Sequence, residues 1–477
     1  KTYYQNLIYK PSPHLLSSLI KYQKKKFKIE DFSLDEIWNN QNINNKEFKN
    51  LNSFNWFFSL DLKSSKKTVQ SIISRWIMNN KKYNDKSWNF DLTAKRIISW
   101  LSNHHLTYDE SDQNFKNSFN TIIKKQANHL INEINKSKII DDKLIGCASI
   151  ILVGLCYHDN KKYLTFGTLL LKKITKFTLD NSGFPKSRSI KQLTFYLKYF
   201  VLIREWFKES QNIIPEHIDE TIYYLGQGYS FLCQNNKTDF LFNGNNESKN
   251  NDFDNYLRKF GYKFKNENNE FGGYTILQNK KICLIIDSGS SPEFKFTKDY
   301  QSGTLSFEII SNGKKLISNC GYSERNIELN RLSKSTAAHS TLIIDDNSSC
   351  KLTKIEGSWM TKKSIKVIKK NIIFEKDYWK ANFSHDGYLK KYNSIHERLI
   401  EFYPQEMKFI GLDKIIKKKT NNNYKFDIRF HLTPNVKLMK TQDNKSILIE
   451  LDDEGWKFTC DNYDINIDNG LYFGNKN

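Results

Sequence analysis

The chain has 477 residues, of which 38% are hydrophobic, and it contains 33 Phe, 25 Tyr and 9 Trp. This length predicts roughly two to four domains, and the apolar content is ample for large packed cores. With only 7 Pro and 20 Gly, the composition excludes a long disordered or low-complexity protein.

The formal net charge of +22 is compatible with an anionic partner such as nucleic acid, anionic lipid or acidic polysaccharide. The excess is almost all Lys, alongside abundant Asn and Ile, so a compositional bias explains it equally well. Lys is a hydrated point charge, whereas carboxylate and phosphate sites favour the planar fork of Arg. Charge alone therefore does not identify the partner.

The 7 cysteines are widely spaced and form no CxxC pair, which indicates neither a disulfide framework nor a structural zinc knuckle. No segment approaches the roughly 20 apolar residues that cross a bilayer, so we expect no integral membrane segment. Phosphate loops, GxSxG elbows, HExxH motifs and nucleic-acid modules are also absent from the sequence.

Up to about residue 235, apolar residues recur at helical spacing. In the segment SKKTVQSIISRWIMN they form one stripe that ends in Trp76 and Ile77. Similar stripes predict further helices, separated by short polar connections, over residues 92–101, 114–136, 143–157, 162–179, 190–208 and 216–233. Serial helices of this kind build bundles, solenoids or α/α toroids.

An Asn-rich stretch, Asn235–Asn255, is interpreted as a surface connection. From about Gly272 the segments become short, rich in β-branched residues, and bounded by Gly, Asn, Asp or Ser, which indicates strands. Helices followed by strands predict two segregated domains, the second an antiparallel sandwich. We place a helical domain over residues 1–260 and a β-sandwich domain over residues 261–477.

Several of these segments resemble heparinase II/III-like proteins. STAAHSTLIIDD (335–346) is similar to the family element RxTxAHNTLVVDG. GTLSFEIISNGKKLISNCG, SHDGYLKKYNSIHERLIEF and FDIRFHLTPNV look like strands of the family sandwich, and WNFDLTAKRIISWL resembles part of its helical half. Weaker matches touch most of the chain from about residue 50 on.

The resemblance implies an incomplete α/α toroid followed by an antiparallel β-sandwich. It also implies a polysaccharide lyase that cleaves uronic-acid-containing polysaccharides, such as glycosaminoglycans or alginate, by β-elimination, in the periplasm or cell envelope of a bacterium. This reaction requires that the uronate carboxylate be neutralised, that a base remove the α-proton, and that an acid protonate the departing oxygen. In the family, Asn, His or Arg binds the carboxylate and Tyr, often with His, moves the protons.

His339 lies where the family element places an active-site His, and we predict that it acts in proton transfer. A structural His that bonds the adjacent turn is the alternative interpretation. Lys334 stands where the family element has Arg, which weakens a bidentate grip on a carboxylate.

The helical half departs from the family at the element NHLLxEAxALxxAGL. The corresponding stretch, DDKLIGCASIILVGL, has Asp142 and Lys143 at the Asn-His positions. Lys143 is a candidate for neutralising the substrate carboxylate, whereas a solvated helix start is the competing interpretation.

A second family element, DGGxxERSPxY, corresponds to DNSGFPKSRSIKQLTFYLKYF (180–200). Arg188 matches its Arg and is a candidate for gripping a uronate carboxylate. The family Tyr position falls on Ile190 or Gln192, so Tyr196 and Tyr199 are the nearest substitutes. We take Tyr196 as the candidate acid, although an aromatic residue at helical spacing is more often part of a core.

Of the remaining histidines, His105 in SNHHLTY is a candidate for contacting sugar, and the alternative is a helix-terminal His that suits the helix dipole. Some relatives bind zinc in the sandwich through His and carboxylate ligands. We predict no cofactor and no metal for this chain, and the oligomeric state is left open.

Two main hypotheses follow for the function. The first is a lyase acting on an acidic polysaccharide. The second is a non-catalytic acidic-polysaccharide-binding or cell-envelope protein on the same scaffold, which the missing Tyr and Asn-His favour, since fold does not fix function. A nucleic-acid-binding protein is a third class, motivated only by the net charge, and we predict no nucleic-acid partner.

Overall fold

The computed structural model describes residues 6–17, 19, 44–157, 161–234, 238–247, 251–362, 364–418 and 423–474. The chain divides into two compact units, each with its own dense set of internal contacts. Unit 1 comprises Lys1–Leu179, Phe195–Leu225 and Asn251–Lys263, and unit 2 comprises Asp180–Thr194, Gly226–Asn250 and Phe264–Asn477. A single division at residue 260 stays a prediction.

The α-helices of the described residues are labelled α1 to α13 in chain order. They are Pro13–Ser17 (α1), Asn45–Ser53 (α2), Lys66–Asn80 (α3), Phe90–Ser102 (α4), His104–Thr107 (α5), Gln113–Glu133 (α6), Ile140–Cys156 (α7), Lys161–Thr178 (α8), Ile190–Glu209 (α9), Glu216–Leu232 (α10), Asn251–Lys259 (α11), Ile327–Lys334 (α12) and Leu389–Tyr392 (α13). The seven helices expected from the apolar stripes are all present, with ends that differ from the expected bounds by three residues or fewer.

Helix α3 shows why these segments form helices. The hydroxyl of Ser65 caps its first turn by accepting a hydrogen bond from the Thr68 backbone N–H. Most of its apolar stripe, including Ile72 and Trp76, is buried, whereas Ile77 at the end of the stripe is partly exposed. The sequence pattern alone therefore accounts for the position and the buried face of this helix.

The interior of unit 1 contains a charged residue. The Arg96 guanidinium lies 4.0 Å from the centre of a ring of Trp76 and donates hydrogen bonds to Gln126 and to the carbonyls of Asn52 and Ser87. Burial lowers the pKa of Arg96. Because its donors are engaged, this cation is stabilised in the core by cation–π and hydrogen-bond contacts.

The strands are labelled β1 to β17. They are Glu270–Phe271 (β1), Tyr274–Gln278 (β2), Ile282–Asp287 (β3), Phe307–Ser311 (β4), Lys314–Ser318 (β5), Leu342–Ile344 (β6), Leu352–Ile355 (β7), Ser358–Thr361 (β8), Val367–Phe374 (β9), Trp379–His385 (β10), Ser394–Tyr403 (β11), Lys408–Lys417 (β12), Phe426–Ile428 (β13), His431–Leu432 (β14), Lys437–Lys440 (β15), Ser446–Leu451 (β16) and Glu454–Thr459 (β17).

These strands form antiparallel sheets in unit 2. The largest has the order β1-β2-β3-β4-β5-β14, a second has the order β12-β11-β10-β9, and a third has the order β15-β16-β17. One apolar core contains residues of all three sheets, including Leu284, Phe383 and Ile449. The helical and antiparallel β-sandwich parts predicted from the sequence are therefore both present.

The interpretation of Asn235–Asn255 as a surface connection is wrong for part of this stretch. Residues 235–237 and 248–250 lie outside the described residues, but Phe240, Leu241 and Phe242 are buried. The backbone N–H of Leu241 donates to Oε1 of Glu308, a buried carboxylate. The apolar residues between the asparagines therefore bury this part of the segment.

No helix within the described ranges is both long enough and apolar enough to cross a membrane.

Candidate functional site

His339 lies in unit 2, directly after the short 3-10 helix Thr336–Ala338, and its imidazole is only 1% exposed. Nδ1 lies 2.8 Å from the carbonyl oxygen of Ser335. A carbonyl only accepts, so Nδ1 carries the proton and Nε2 keeps its lone pair. Burial lowers the pKa of His339 to about 4, so the imidazole is neutral at neutral pH.

The Nε2 atom of His339 has no hydrogen-bond partner among the described residues. The ring packs against Gly303, where an added Cβ would lie 2.6 Å from Cδ2 of the imidazole. A side chain at residue 303 would therefore displace the ring. A buried neutral imidazole with an unpaired Nε2 is a proton acceptor that lacks its partner.

Arg188 also lies in unit 2, and the structure surrounds its guanidinium with acceptors. Nη2 donates to Asp287 Oδ1 at 2.6 Å and to the Gly273 carbonyl at 2.7 Å. The remaining bonds go to the carbonyls of Gly272, Gly289 and Ser290. Although burial opposes the charge, Asp287 holds the pKa of Arg188 above its ordinary value.

Two glycine turns make room for this guanidinium. A Cβ on Gly273 would lie 2.6 Å from Arg188 Nε, and one on Gly289 would lie 2.5 Å from Cζ. A uronate carboxylate would have to replace Asp287 or these carbonyls in order to bind Arg188 bidentately. The described contacts favour a structural role, and substrate binding by Arg188 stays a prediction.

A cavity of about 470 Å³ lies beside these turns, within unit 2. Its apolar wall is formed by Pro185, Pro292, Phe296 and Val367. Two lysines from distant parts of the chain, Lys186 and Lys370, also line it. Concave sites of this size, mostly apolar with a few convergent polar groups, are the usual places for small ligands.

The electrostatics of this cavity are mixed. Lys370 is 3.0 Å from Glu270 in a half-exposed ion pair, and the lining also includes Asp180 and Glu293. A half-exposed ion pair contributes roughly 0–1 kcal/mol of stability. A ligand carboxylate or sulfate could therefore replace Glu270 beside Lys370 at a small cost in free energy.

The other three predicted site residues lie in unit 1. Tyr196 is in α9 and is 2% exposed, which is typical of a core aromatic residue. Lys143 is in the first turn of α7 and is partly exposed. His105 is in α5, where burial and the neighbouring His104 lower its pKa and Nε2 has no partner among the described residues. Their catalytic and binding roles stay predictions.

The sequence reasoning missed a buried polar network on β10, β11 and β12. Asp413 accepts hydrogen bonds from His396 Nε2 at 2.6 Å and from Arg398 Nε at 2.8 Å. His385 lies 3.2 Å from the other nitrogen of His396. Buried and partly buried residues alternate along the segment IHERLIEFY, and its buried face contains His396 and Arg398. Charged residues at buried strand positions could have indicated this network, although not their partners.

Some relatives bind zinc in the sandwich, a chemistry that uses His, Cys and carboxylate side chains. Within the ranges that the structure describes, no group of three or more His, Cys, Asp or Glu side chains could hold a metal ion. Asp413 is instead engaged by Arg398 and His396. Lys334, at the family Arg position, donates to the carbonyls of Lys298 and Trp359, and burial lowers its pKa to about 8.

Solved structures of polysaccharide lyases share this fold. The chain is similar to the crystal structure of heparinase III with a TM-score of 0.65 and 15% identity, over 92% of this chain and 75% of that chain. It is similar to a heparan sulfate lyase from Pedobacter heparinus with a TM-score of 0.62 and 15% identity, over 89% and 70% of the two chains. At these identities the likeness shows the fold, a helical part followed by an antiparallel sandwich.

Residues 268–477 match the family described as Heparinase II/III-like, C-terminal. The C-terminal part of this chain is therefore a heparinase II/III-like domain, and the resemblance expected from the sequence is confirmed. The fold class predicted from the sequence is confirmed as well.

Two curated proteins of other names also match parts of this chain. Protein Ycf2 of Physcomitrium patens is 27% identical over 420 residues, which is 80% of this chain but 18% of that protein. FtsZ-localized protein C of Caulobacter vibrioides is 24% identical over 214 residues, which is 42% of this chain and 37% of that protein. The chain thus spans less than half the length of either relative, and neither name specifies a chemistry for it.

Proposed function

We propose that this chain is a lyase that cleaves a uronic-acid-containing polysaccharide by β-elimination, with His339 as the base. The observation that carries the proposal is the protonation state of this residue. Ser335 fixes the proton on Nδ1, and burial keeps the ring neutral, so Nε2 is ready to accept a proton. The shared fold with heparinase III supports the same class of reaction.

Two conditions follow from the geometry. The imidazole is 1% exposed, so the segment around it has to open when the polysaccharide binds. A pKa of about 4 makes free His339 a weak base, but an approaching uronate carboxylate stabilises the imidazolium and raises this pKa. The proposal therefore requires that substrate binding both uncovers the base and strengthens it.

The partners of His339 in the reaction are proposed from the family pattern. Tyr196 is the candidate acid, and Lys143 and His105 are the candidates for binding the substrate. Arg188 is a further candidate for binding the substrate. It is weaker than the others, because Asp287 and four carbonyls already occupy its donors.

A non-catalytic acidic-polysaccharide-binding protein is the second candidate. The engaged donors of Arg188 favour it, because they leave the predicted carboxylate grip without a free donor pair. The cavity beside the glycine turns offers a place for a saccharide, with Lys186 and Lys370 facing its acidic group. Such a protein would bind acidic polysaccharide through the cavity and form no product.

The test is incubation of the protein with heparan sulfate, heparin, hyaluronan, chondroitin or alginate while the ultraviolet absorbance of the unsaturated product is followed. We expect product from one of these polymers and a loss of kcat of roughly 100-fold or more in His339→Gln, because general base catalysis contributes about 10²–10⁴-fold. His217→Gln, which removes a half-buried histidine of unit 1, is the matched control and should retain the activity.

The opposite result is equally clear. Saturable binding without product from any of the five polymers, weakened in Lys186→Gln and Lys370→Gln, would establish the binder and contradict the lyase. Activity that survives in His339→Gln would remove His339 from the mechanism.

We also propose that the protein works in the periplasm or cell envelope, where an extracellular polysaccharide is accessible. Fractionation of the source cells would check this, and recovery of the protein in the cytosol alone would contradict it.

A further inference from the structure

The buried network on β10, β11 and β12 has a defined chain of proton positions. The backbone N–H of Gly387 donates to His385 Nδ1 at 3.0 Å, so the proton of neutral His385 is on Nε2. That proton points to His396 Nδ1, and the proton of His396 is therefore on Nε2, which donates to Asp413. Each histidine is thereby fixed in one tautomer.

The charges in this network agree with those tautomers. Burial lowers the pKa of His396 and keeps it neutral, even though Asp413 opposes the shift. Burial alone would raise the pKa of Asp413, but Arg398 and His396 hold it well below its ordinary range. The network thus contains one carboxylate and one guanidinium, paired through Nε–Oδ1 at 2.8 Å and Nη2–Oδ2 at 3.0 Å.

Arg398 connects this network to the surroundings of His339. Its Nη1 donates to the carbonyl of Ser340 at 2.7 Å and to the carbonyl of Leu305 at 2.9 Å. Ser340 is the residue after His339, and Leu305 follows the turn at Gly303 that packs against the imidazole. One nitrogen therefore joins the segment that carries His339 to the turn that packs against its ring.

The backbone of Leu305, whose carbonyl accepts a hydrogen bond from Arg398, has a strained conformation. Its φ is 64°, in the left-handed region that costs a residue with a Cβ roughly 1–3 kcal/mol. Such a conformation persists only where the surroundings fix it. The bond from Arg398 to the Leu305 carbonyl is one of the contacts that do so.

We propose that Arg398 is a positioning residue for His339, and that the Asp413–His396–His385 chain fixes Arg398 in turn. Arg398 holds the Gly303–Leu305 turn, which packs against the imidazole, to Ser340, the residue after His339. The ring consequently stays buried, bonded to Ser335 and neutral. The role of this arrangement in catalysis rests on the proposed function, whereas the positioning itself does not.

The test uses the full chain with ¹⁵N-labelled histidine and compares wild type with Arg398→Lys and Asp413→Asn. Lys keeps the charge but cannot bridge two carbonyls and a carboxylate, and Asn removes the charge that holds Arg398. In the wild type we expect a His339 Nδ1–H tautomer that stays neutral down to about pH 4. In both variants we expect mixed tautomers and a His339 pKa that moves up towards 6.5.

Arg258→Lys, an exposed arginine of α11, is the matched control and should leave the His339 signals unchanged. Near-ultraviolet circular dichroism identifies conditions in which each variant is folded, and two variants are used so that one unfolded protein does not end the experiment. Unchanged His339 nitrogen shifts and an unchanged titration in a folded variant would overturn the proposal.

A second readout separates this inference from the lyase proposal. In an active lyase, Arg398→Lys should lower kcat by roughly 10- to 100-fold with little change in KM, and should shift the pH profile of kcat. Altered His339 signals in a protein that cleaves no polymer would refute the lyase and retain the positioning. Cleavage together with unaltered His339 signals would do the reverse.

Discussion

At the scale of single residues, we expect the stability of the protein to be sensitive to the buried ion pair between Arg188 and Asp287. Its side chains are 9% and 1% exposed, and the guanidinium is enclosed by the turns at Gly273 and Gly289. Removal of one partner of such a pair leaves an uncompensated buried charge, which is far more costly than the pair itself is stabilising.

Asp287→Asn should therefore destabilise the protein by about 3–5 kcal/mol, measured by urea denaturation at neutral pH. Glu293→Gln is the control, because Glu293 pairs with Lys295 at 3.1 Å on the surface, and its loss should change stability by less than about 0.5 kcal/mol. Equal stability of Asp287→Asn and wild type would show that Arg188 has an alternative partner or access to water.

The residue scale also shows what the sequence could and could not predict. The family element made His339 conspicuous, but its burial and its bond to Ser335 depend on the local turn. Arg188 was conspicuous too, yet its partner Asp287 is 99 residues away. A motif identifies a residue type at a position, whereas the competition between substrate and protein for its donors is decided by tertiary contacts.

At the scale of elements, the close packing of α7 against α8 depends on glycine. A Cβ on Gly154 would lie 2.6 Å from the backbone nitrogen of Leu164, and one on Gly167 would lie 2.5 Å from Ile151 Cγ1. Backbone atoms cannot move aside as a flexible side chain can, so Gly154 sets how near the two helices approach.

Gly154→Ala should consequently cost about 1–3 kcal/mol by overpacking, despite the better helix propensity of Ala. Thermal and urea unfolding followed by far-ultraviolet circular dichroism would measure the loss. Gly411→Ala in β12 is the control, because nothing lies within 4 Å of the added Cβ, and it should be neutral or slightly stabilising. A neutral Gly154→Ala would mean that the helices separate easily.

Elements were also what the sequence predicted best, since helical stripes and β-branched runs are local signals. The strands β10 and β12 were not recognised separately, because polar residues such as Asn382 and Asp413 interrupt their apolar pattern. The segment FDIRFHL, which the family resemblance assigned to the sandwich, forms two short strands, of which β13 pairs with β6 and β14 pairs with β5. The neighbours of a strand decide such breaks, and the local sequence does not contain them.

At the scale of the whole molecule, the stability of the folded protein depends on pH, because several buried histidines stay neutral in it. Burial lowers the pKa of His339, His396 and His431 in the folded protein. The unfolded chain has ordinary histidines, so it binds protons first as the pH falls below about 6.5. The contribution of these histidines to the free energy of unfolding is therefore greatest above this pH and decreases as the pH falls towards their folded-state pKa values.

His339 alone makes a measurable part of this dependence. A shift from 6.5 to about 4 corresponds to about 3 kcal/mol, lost between these two pH values. Urea denaturation of wild type and His339→Gln from pH 7 to about pH 4 should show a shallower decline in the variant, by close to one proton at intermediate pH. His217→Gln, in which a half-buried histidine is removed, should change the slope less. Identical slopes for wild type and His339→Gln would mean that the pKa of His339 is the same in the folded and the unfolded protein, which would contradict an imidazole that burial keeps neutral down to about pH 4.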